Sequence, residues 1–335
     1  MRIGYTFDLR NAANVKPGQP DDINEEYDSA DTVELIENSL SSLGHQVIRL
    51  DGGLEFLKNA CNGIDVDFVF NISEGLGNSP SREAQVPSIL EVLNVPYSGS
   101  APQCLSICLD KPLTKHILKA HGIITPQWRL LRTTQDLDDT HWQDIIFPVV
   151  VKPSHEGSSI GIGSNSLALS PMEAQELTIK LLDSYNQPVM IEQYIAGKEI
   201  TVGVIGTKTP QVLGIMEAKP KYSSPFFMYS IDVKRDYLKL VDYECPADLT
   251  QDTLENINDI SLKIFAILGC RDMARLDFRV DKDGIPYFIE INPLPGLGNH
   301  SDLVIMADLL GISHIRLIEM ILSASLERYT QCDQV

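Results

Sequence analysis

The residues best suited to chemistry lie in one stretch, Asp272 to Asp302, DMARLDFRVDKDGIPYFIEINPLPGLGNHSD. Two runs rich in Ile, Val, Phe and Tyr flank Asp281-Lys282-Asp283-Gly284, a turn signal in which Gly supplies a positive φ, so the stretch predicts a β-hairpin. Closing Val280 against Ile285 pairs Arg275 with Glu290 and Asp277 with Phe288. Strand alternation then gathers Arg275, Asp277, Glu290 and Asn292 on one face, with Ala274, Leu276, Phe278, Tyr287, Ile289 and Ile291 on the other. In that register Asp277 and Glu290 are diagonal neighbours with their stems roughly 6–8 Å apart. Two such carboxylates repel each other unless a cation lies between them, and an all-oxygen donor set suits a hard divalent ion. The same pattern also fits an exposed sheet face with one Arg–Glu cross-strand pair.

Anion-binding chemistry is suggested further upstream. Phe147 to Lys152 (FPVVVK) reads as an apolar strand ending in a lysine, and it runs straight into Pro153-Ser154-His155-Glu156-Gly157-Ser158-Ser159-Ile160-Gly161-Ile162-Gly163. Small residues let backbone N–H groups approach a phosphate, and the ammonium adds a point charge. No GxxxxGK[ST] occurs, so this is not a P-loop, and a Gly/Ser hairpin turn is the plainer reading. Asp110 can cap a helix from Lys111 to about Ala120, with Pro112 in its first turn and Gly122 at its end.

Other elements must hold these groups. Met1 to Phe7, His45 to Leu50 and Asp65 to Ile72 read as strands, and Asp31 to Leu43 as an amphipathic helix. Alternating strand and helix predict a doubly wound α/β unit over about the first 110 residues, in which ligands sit beyond the carboxyl ends of the strands. The loop Ser73 to Asn78, followed by Arg82 and Glu83, lies at such an end. Asp8 to Tyr27 reads as a long loop or lid. Pro126 marks a domain boundary. Pro188 to Tyr194 is a strand carrying Glu192, followed by Gly197 and a further strand with Glu199. Pro220 to Tyr243 is aromatic and basic, a flap carrying Lys234 and Arg235 or an irregular surface loop. Leu254 to Leu268 is a helix, and the tail is two more, about Leu303 to Leu310 and His314 to Arg328.

At 335 residues, 43% apolar and 22% charged, the chain is sized for two or three packed units of an ordinary globular protein. A formal charge of −19 opposes association with a nucleic-acid backbone, so any anionic substrate must be held by local cations and amides. No apolar run approaches the roughly 20 residues of a membrane span, and the N-terminus lacks the pattern of a secretory signal. Six cysteines show no CxxC spacing; Cys104 and Cys108, four apart in an apolar helix, read as buried thiols, and a reduced cytoplasmic setting is expected.

Three separated pieces resemble one family. VVVKPSHEGSSIGIG, ARLDFRVDKDGIPYFIEINPLPGLGNHS, and FNISEGLG with GSAPQCLSICLDKPLTK are similar, in the same order over almost the whole chain, to the D-alanine-D-alanine ligases of the ATP-grasp superfamily. The resemblance implies an α/β protein with an N-terminal doubly wound parallel-sheet domain (1–110). A two-part α+β ATP-grasp domain follows, with a central subdomain (111–196) and a C-terminal subdomain carrying the metal and substrate site (197–335). It implies that Lys111 and Lys152 touch ATP phosphates under a loop formed by Glu156, Gly157, Ser158 and Ser159. Glu192, Tyr194 and Ile195 would hold adenine, and Glu199 the ribose. Asp277, Glu290 and Asn292 would bind two Mg²⁺ ions, with Mn²⁺ able to substitute. Lys234 would lie near the γ-phosphate, with Ser158 and Arg275 completing the catalytic set. Gly296, His300 and Ser301 would meet the second substrate.

The implied reaction is carboxylate phosphorylation followed by attack of an amine, needing positioning and electrostatics rather than a protein nucleophile. Homodimerisation is the family expectation, and the implied partners are small amino-acid substrates, with neither nucleic acid nor membrane. Departures cluster at the substrate positions. Asp8–Tyr27 replaces a short loop bearing a glutamate, for which Glu25 is the match; Glu74 stands for a histidine, Arg82 for an acid, Arg235 for a tyrosine and Asp302 for an apolar residue. These departures favour a specialised or natural-product amide ligase over the cell-wall enzyme joining two D-alanines. A nucleotide-binding regulatory module without turnover is the reading from another class.

Overall fold

In the computed structural model the described residues are 1–10, 18–222 and 225–329. Part of the Asp8–Tyr27 segment, two residues of the flap and Cys332 lie outside them.

Three sheets carry the chain. β1 (Arg2–Thr6), β2 (Gln46–Arg49) and β3 (Phe68–Asn71) form a parallel sheet in the order β2-β1-β3, as their apolar centres require. α1 (Ala30–Ser42), α2 (Gly53–Asn62), α3 (Gln85–Val92) and α4 (Pro102–Leu109) accompany it. Ser29 caps α1 by accepting from Thr32 N at 3.1 Å.

α5 (Lys111–Ala120) leads into the second sheet, antiparallel in the order β4-β7-β5-β6, with β4 (Trp128–Leu131), β5 (Val149–Pro153), β6 (Leu167–Ala168) and β7 (Val189–Gln193). α6 (Pro171–Tyr185) packs on it.

The third sheet has the order β10-β9-β8-β11-β12 and is also antiparallel: β8 (Lys198–Ile205), β9 (Gln211–Pro220), β10 (Val241–Glu244), β11 (Met273–Val280) and β12 (Pro286–Asn292). The basic aromatic flap folds into two short helices, α7 (Ile231–Arg235) and α8 (Tyr237–Leu240). α9 (Gln251–Leu268) covers the sheet, and α10 (Asp302–Leu309) and α11 (His314–Leu326) complete the described chain. These last two helices share a core with the first sheet: Leu303, Leu317, Ile318 and Ile321 pack with Ile3, Tyr5, Ile36 and Phe70. Cys104, Cys108 and Cys270 bury their thiols together, with Sγ–Sγ separations of 3.8 Å (Cys104–Cys108) and 3.6 Å (Cys104–Cys270). Among the described residues no helix is long and apolar enough to cross a membrane.

The predicted hairpin exists, but its register differs. Asp277 pairs with Glu290 and Arg275 with Asn292, whereas Phe278 pairs with Phe288, so an irregularity leaves Ile289 as an extra residue in β12. The expected pairings Arg275–Glu290 and Asp277–Phe288 are therefore replaced. The polar face survives. Beyond the bulge the faces exchange: Phe288 is buried against Phe278, with ring centroids 6.0 Å apart, and Ile289 turns into the cleft instead of the core.

Candidate active site

A cleft between the second and third sheets is lined by Lys152, Glu192 to Ile195, Glu199, Lys234, Asp277, Arg279 and Glu290. Lys152 is the penultimate residue of β5, which runs one residue past the expected end to Pro153, and its Nζ lies 2.7 Å from Glu192 Oε2. The other Glu192 oxygen lies 2.6 Å from Lys115 Nζ, one helical turn beyond Lys111 on α5. Burial would raise the Glu192 carboxyl, but the two lysines more than offset it and hold it below its ordinary value. Burial pushes Lys115 down to about 8. Glu192 is thus engaged by two lysines, and it is the neighbouring peptide through Ile195 that opens onto the cleft.

At the hairpin, Lys111 Nζ is 3.5 Å from Glu290 Oε2. Arg275 Nη2 lies 2.8 Å from Asp277 Oδ2 and 3.4 Å from Glu290 Oε1, and its Nη1 is 3.5 Å from Asp302 Oδ2. Thr201 Oγ1 donates to the other Asp277 oxygen at 2.9 Å. Burial acts to raise Glu290, yet Lys111, Lys152, Arg275 and Lys234 lower it to about 2. Asp277 moves the other way, raised by burial and by Glu290 and Asp302 against the pull of Arg275. Asn292 Oδ1 accepts from Leu294 N at 2.8 Å. Two facing carboxylates and an amide oxygen make an oxygen-only donor set that fits magnesium.

The Gly/Ser loop covers one side. Ser158 and Ser159 take φ of 47° and 60° and Gly161 73°, a left-handed run that costs non-glycine residues about 1–2 kcal/mol each. Its amides are met by acids of the segment before α1: Gly161 N donates to Asp22 at 2.8 Å and Gly157 N to Glu26. Ser159 Oγ donates to Tyr229 O, 3.1 Å away in the flap.

The family model described as D-ala D-ala ligase C-terminus matches residues 117–323. The D-alanine–D-alanine ligase of Aquifex aeolicus is 32% identical over 298 residues, 88% of this chain and 94% of its own. The chain belongs to the D-alanine–D-alanine ligase family. The protein y4sG of Sinorhizobium fredii is 32% identical over 301 residues, 87% of this chain and 86% of its own. The crystal structure of D-alanine–D-alanine ligase from Bacillus anthracis complexed with ATP superposes with a TM-score of 0.74 at 26% identity, covering 99% of each chain. The α/β architecture of an N-terminal parallel sheet followed by the two antiparallel sheets is that of the ATP-grasp ligases.

The residues that the resemblance assigns to substrate contacts have these neighbours. Glu25 is paired with Arg235 of the flap at 2.6 Å and with Arg10 at 2.9 Å, so its carboxylate is already neutralised. Arg82, expected to meet substrate, is 3% exposed and braces the loop: it donates to His155 O at 2.7 Å and pairs with Glu26 at 2.5 Å and Glu156 at 3.0 Å. Glu74 stands among acids, its carboxyl raised by burial and by Glu83, Glu26 and Asp28. Gly296 is exposed, Ser301 Oγ accepts from Gly298 N at 3.2 Å, and His300 Nδ1 lies 2.8 Å from Tyr237 OH of the flap.

Three residues escaped the sequence reading. Lys115 was detectable from its i,i+4 spacing to Lys111. Arg279 follows Asp277 on the same strand face. It pairs with Glu199 at 2.6 Å and donates to Ile195 O at 2.8 Å, Phe227 O at 2.9 Å and Gly197 O at 3.0 Å, pinning the link between β7 and β8. Gly197 has φ 142°, and a Cβ there would lie 2.0 Å from Val280 O, so only glycine allows this approach. Tyr229 had no signal beyond the aromatic composition of its segment.

Proposed function

We propose that the protein is an ATP- and Mg²⁺-dependent carboxylate–amine ligase that joins two small amino-acid-like molecules, with a substrate choice other than two D-alanines. The observation that carries the chemistry is the convergence of Lys111, Lys152 and Lys234 on the facing pair Asp277–Glu290 beside Arg275. ATP lies along the cleft, with adenine at the peptide through Tyr194 and Ile195, ribose at Glu199, and phosphates under the Glu156–Ser159 loop. Asp277, Glu290 and Asn292 would hold two magnesium ions, which would supply positive charge against the phosphates.

A carboxylate oxygen of the first substrate attacks the γ-phosphorus in line as the bond to the β-phosphate oxygen breaks, giving an acyl phosphate and ADP. Lys152 and Lys234 hold charge on the moving phosphoryl group. An amine then attacks the activated carbonyl, Arg275 stabilises the developing oxyanion, and phosphate leaves as the amide forms. The same reading takes 1–110, 111–196 and 197–335 as the working units and places the protein in the cytoplasm as a homodimer.

The altered choice is supported by acids where neutral groups would suit alanine: Glu74 among carboxylates, and Asp302 beside Arg275. Family membership fits the authentic D-alanine–D-alanine ligase equally well. A panel of D- and L-amino acids and amines, read by mass spectrometry of the product, separates the two. D-alanyl-D-alanine formed at high turnover contradicts the specialised reading.

A further inference from the structure

Tyr229 touches groups that serve different steps of the proposed reaction. Its backbone N–H donates to Glu199 Oε1 at 3.2 Å, on the ribose side of the cleft. Its ring lies 5.0 Å from Lys234 Nζ, in cation–π contact with the phosphate-side lysine. Its hydroxyl donates to Asp302 Oδ1 at 2.9 Å and lies 2.5 Å from Tyr243 OH. The other oxygen of Asp302 is the one 3.5 Å from Arg275 Nη1.

Asp302 opens α10, where a negative charge is favoured by the helix dipole, but its side chain does not cap that helix. It reaches across to Tyr229 of the flap and to the arginine. Asp302 and Arg275 are 7% and 8% exposed, so their pairing is little screened by water. The guanidinium is shared by Asp277, Glu290 and Asp302, and its position is the balance of three pulls. A carboxylate held by a tyrosine hydroxyl through a charge-assisted bond keeps one rotamer. Freed of it, Asp302 can turn away, and the guanidinium is drawn toward Asp277 and Glu290.

We propose that Tyr229 and Asp302 form a positioning pair that couples closure of the 225–240 lid to the placement of Arg275. The proposal rests on the ligase reading for the role of Arg275. The contacts to Glu199 and Lys234 run through the backbone and ring of Tyr229, and the link to the arginine runs through its hydroxyl alone. The two functions therefore separate in a single substitution.

Tyr229→Phe keeps the ring under Lys234 and the N–H on Glu199. With the substrate pair found by the panel, it is expected to lower kcat by about 10- to 100-fold, as a small misplacement of a catalytic group does, while KM for ATP stays within about twofold. Asp302→Asn keeps an acceptor for the hydroxyl but removes the charge facing Arg275, and also lowers kcat. Because the pair acts as one link, the double variant is no slower than the worse single one. Hydrogen exchange on the free protein provides a readout independent of substrate: Tyr229→Phe raises exchange of peptides 225–240 and 296–309, with the melting temperature kept. Wild-type kcat in Tyr229→Phe, multiplying losses in the double variant, or unchanged exchange in both peptides each overturns the pair. Inactivity of the unaltered protein on every substrate pair contradicts the ligase reading instead, and the exchange comparison still decides whether Tyr229 and Asp302 are linked.

Discussion

Asp277 stands directly across the β11–β12 ladder from Glu290, and the bulged Ile289 beside them turns out of the core into the cleft. A direct cross-strand pair brings two carboxylates closer than the diagonal placement would, so the repulsion between them must be met by cations. Arg275 and Lys111 supply part of that charge within the protein.

Removing one of the two carboxylates while keeping its shape therefore tests the metal assignment. Glu290→Gln is expected to lower kcat by at least about 10²-fold, the scale of losing one electrostatic stabiliser in a closed site, with nucleotide affinity falling far less. Isothermal titration with ATP and steady-state turnover give the two quantities. Equal losses in both would contradict a role in the chemical step.

The same residue sets a pH signature on stability. Its folded carboxyl lies at about 2, below the usual value of 4.5, so its contribution is present above about pH 4.5 and is lost as pH falls toward 2. The raised carboxyl of Asp277 acts in the opposite sense. Wild-type urea midpoints should fall more steeply between pH 4.5 and 2 than those of Glu290→Gln, and parallel profiles would contradict the depressed carboxyl.

Arg279 is a second point of stress. Arg279→Met leaves Glu199 without its ion-pair partner and frees the carbonyls of Ile195, Phe227 and Gly197. Breaking a buried pair on one side costs about 3–5 kcal/mol, measurable by urea denaturation. A loss below about 1 kcal/mol would rank the contact with surface pairs.

The polar hairpin face was legible because strand alternation depends only on a period of two. Its register was not, because the bulge falls between Phe288 and Glu290, where no glycine or proline announces it. The lysine near the end of β5 and the capped start of α5 were readable from local residue types. Glu25 was readable only as a substrate group: its partners Arg10 and Arg235 lie on segments brought together by the fold, and no local pattern encodes that contact. The buried contacts of Arg82 were hidden for the same reason. A buried arginine and an exposed one look alike in sequence until the acids around it, here Glu26 and Glu156, are placed.

The Glu25–Arg235 contact predicts lid behaviour. The Arg235 side chain is 40% exposed, so the pair contributes no more than about 1 kcal/mol and is screened by salt. Arg235→Ala should speed chymotrypsin cleavage within 225–240 by about two- to fivefold at low salt, the range such an energy permits, and the difference should shrink in molar salt. A salt-independent difference would assign the effect to packing.

The central claim, a ligase that activates a carboxylate and transfers it to an amine, is tested most directly by coupled measurement of ADP release and product mass across a matrix of donors and acceptors. The account predicts that ADP accumulates only where one carboxylate donor and one amine acceptor are both present, with one amide formed per ADP. ADP release that ignores both, or with no amide product in any combination, would contradict it.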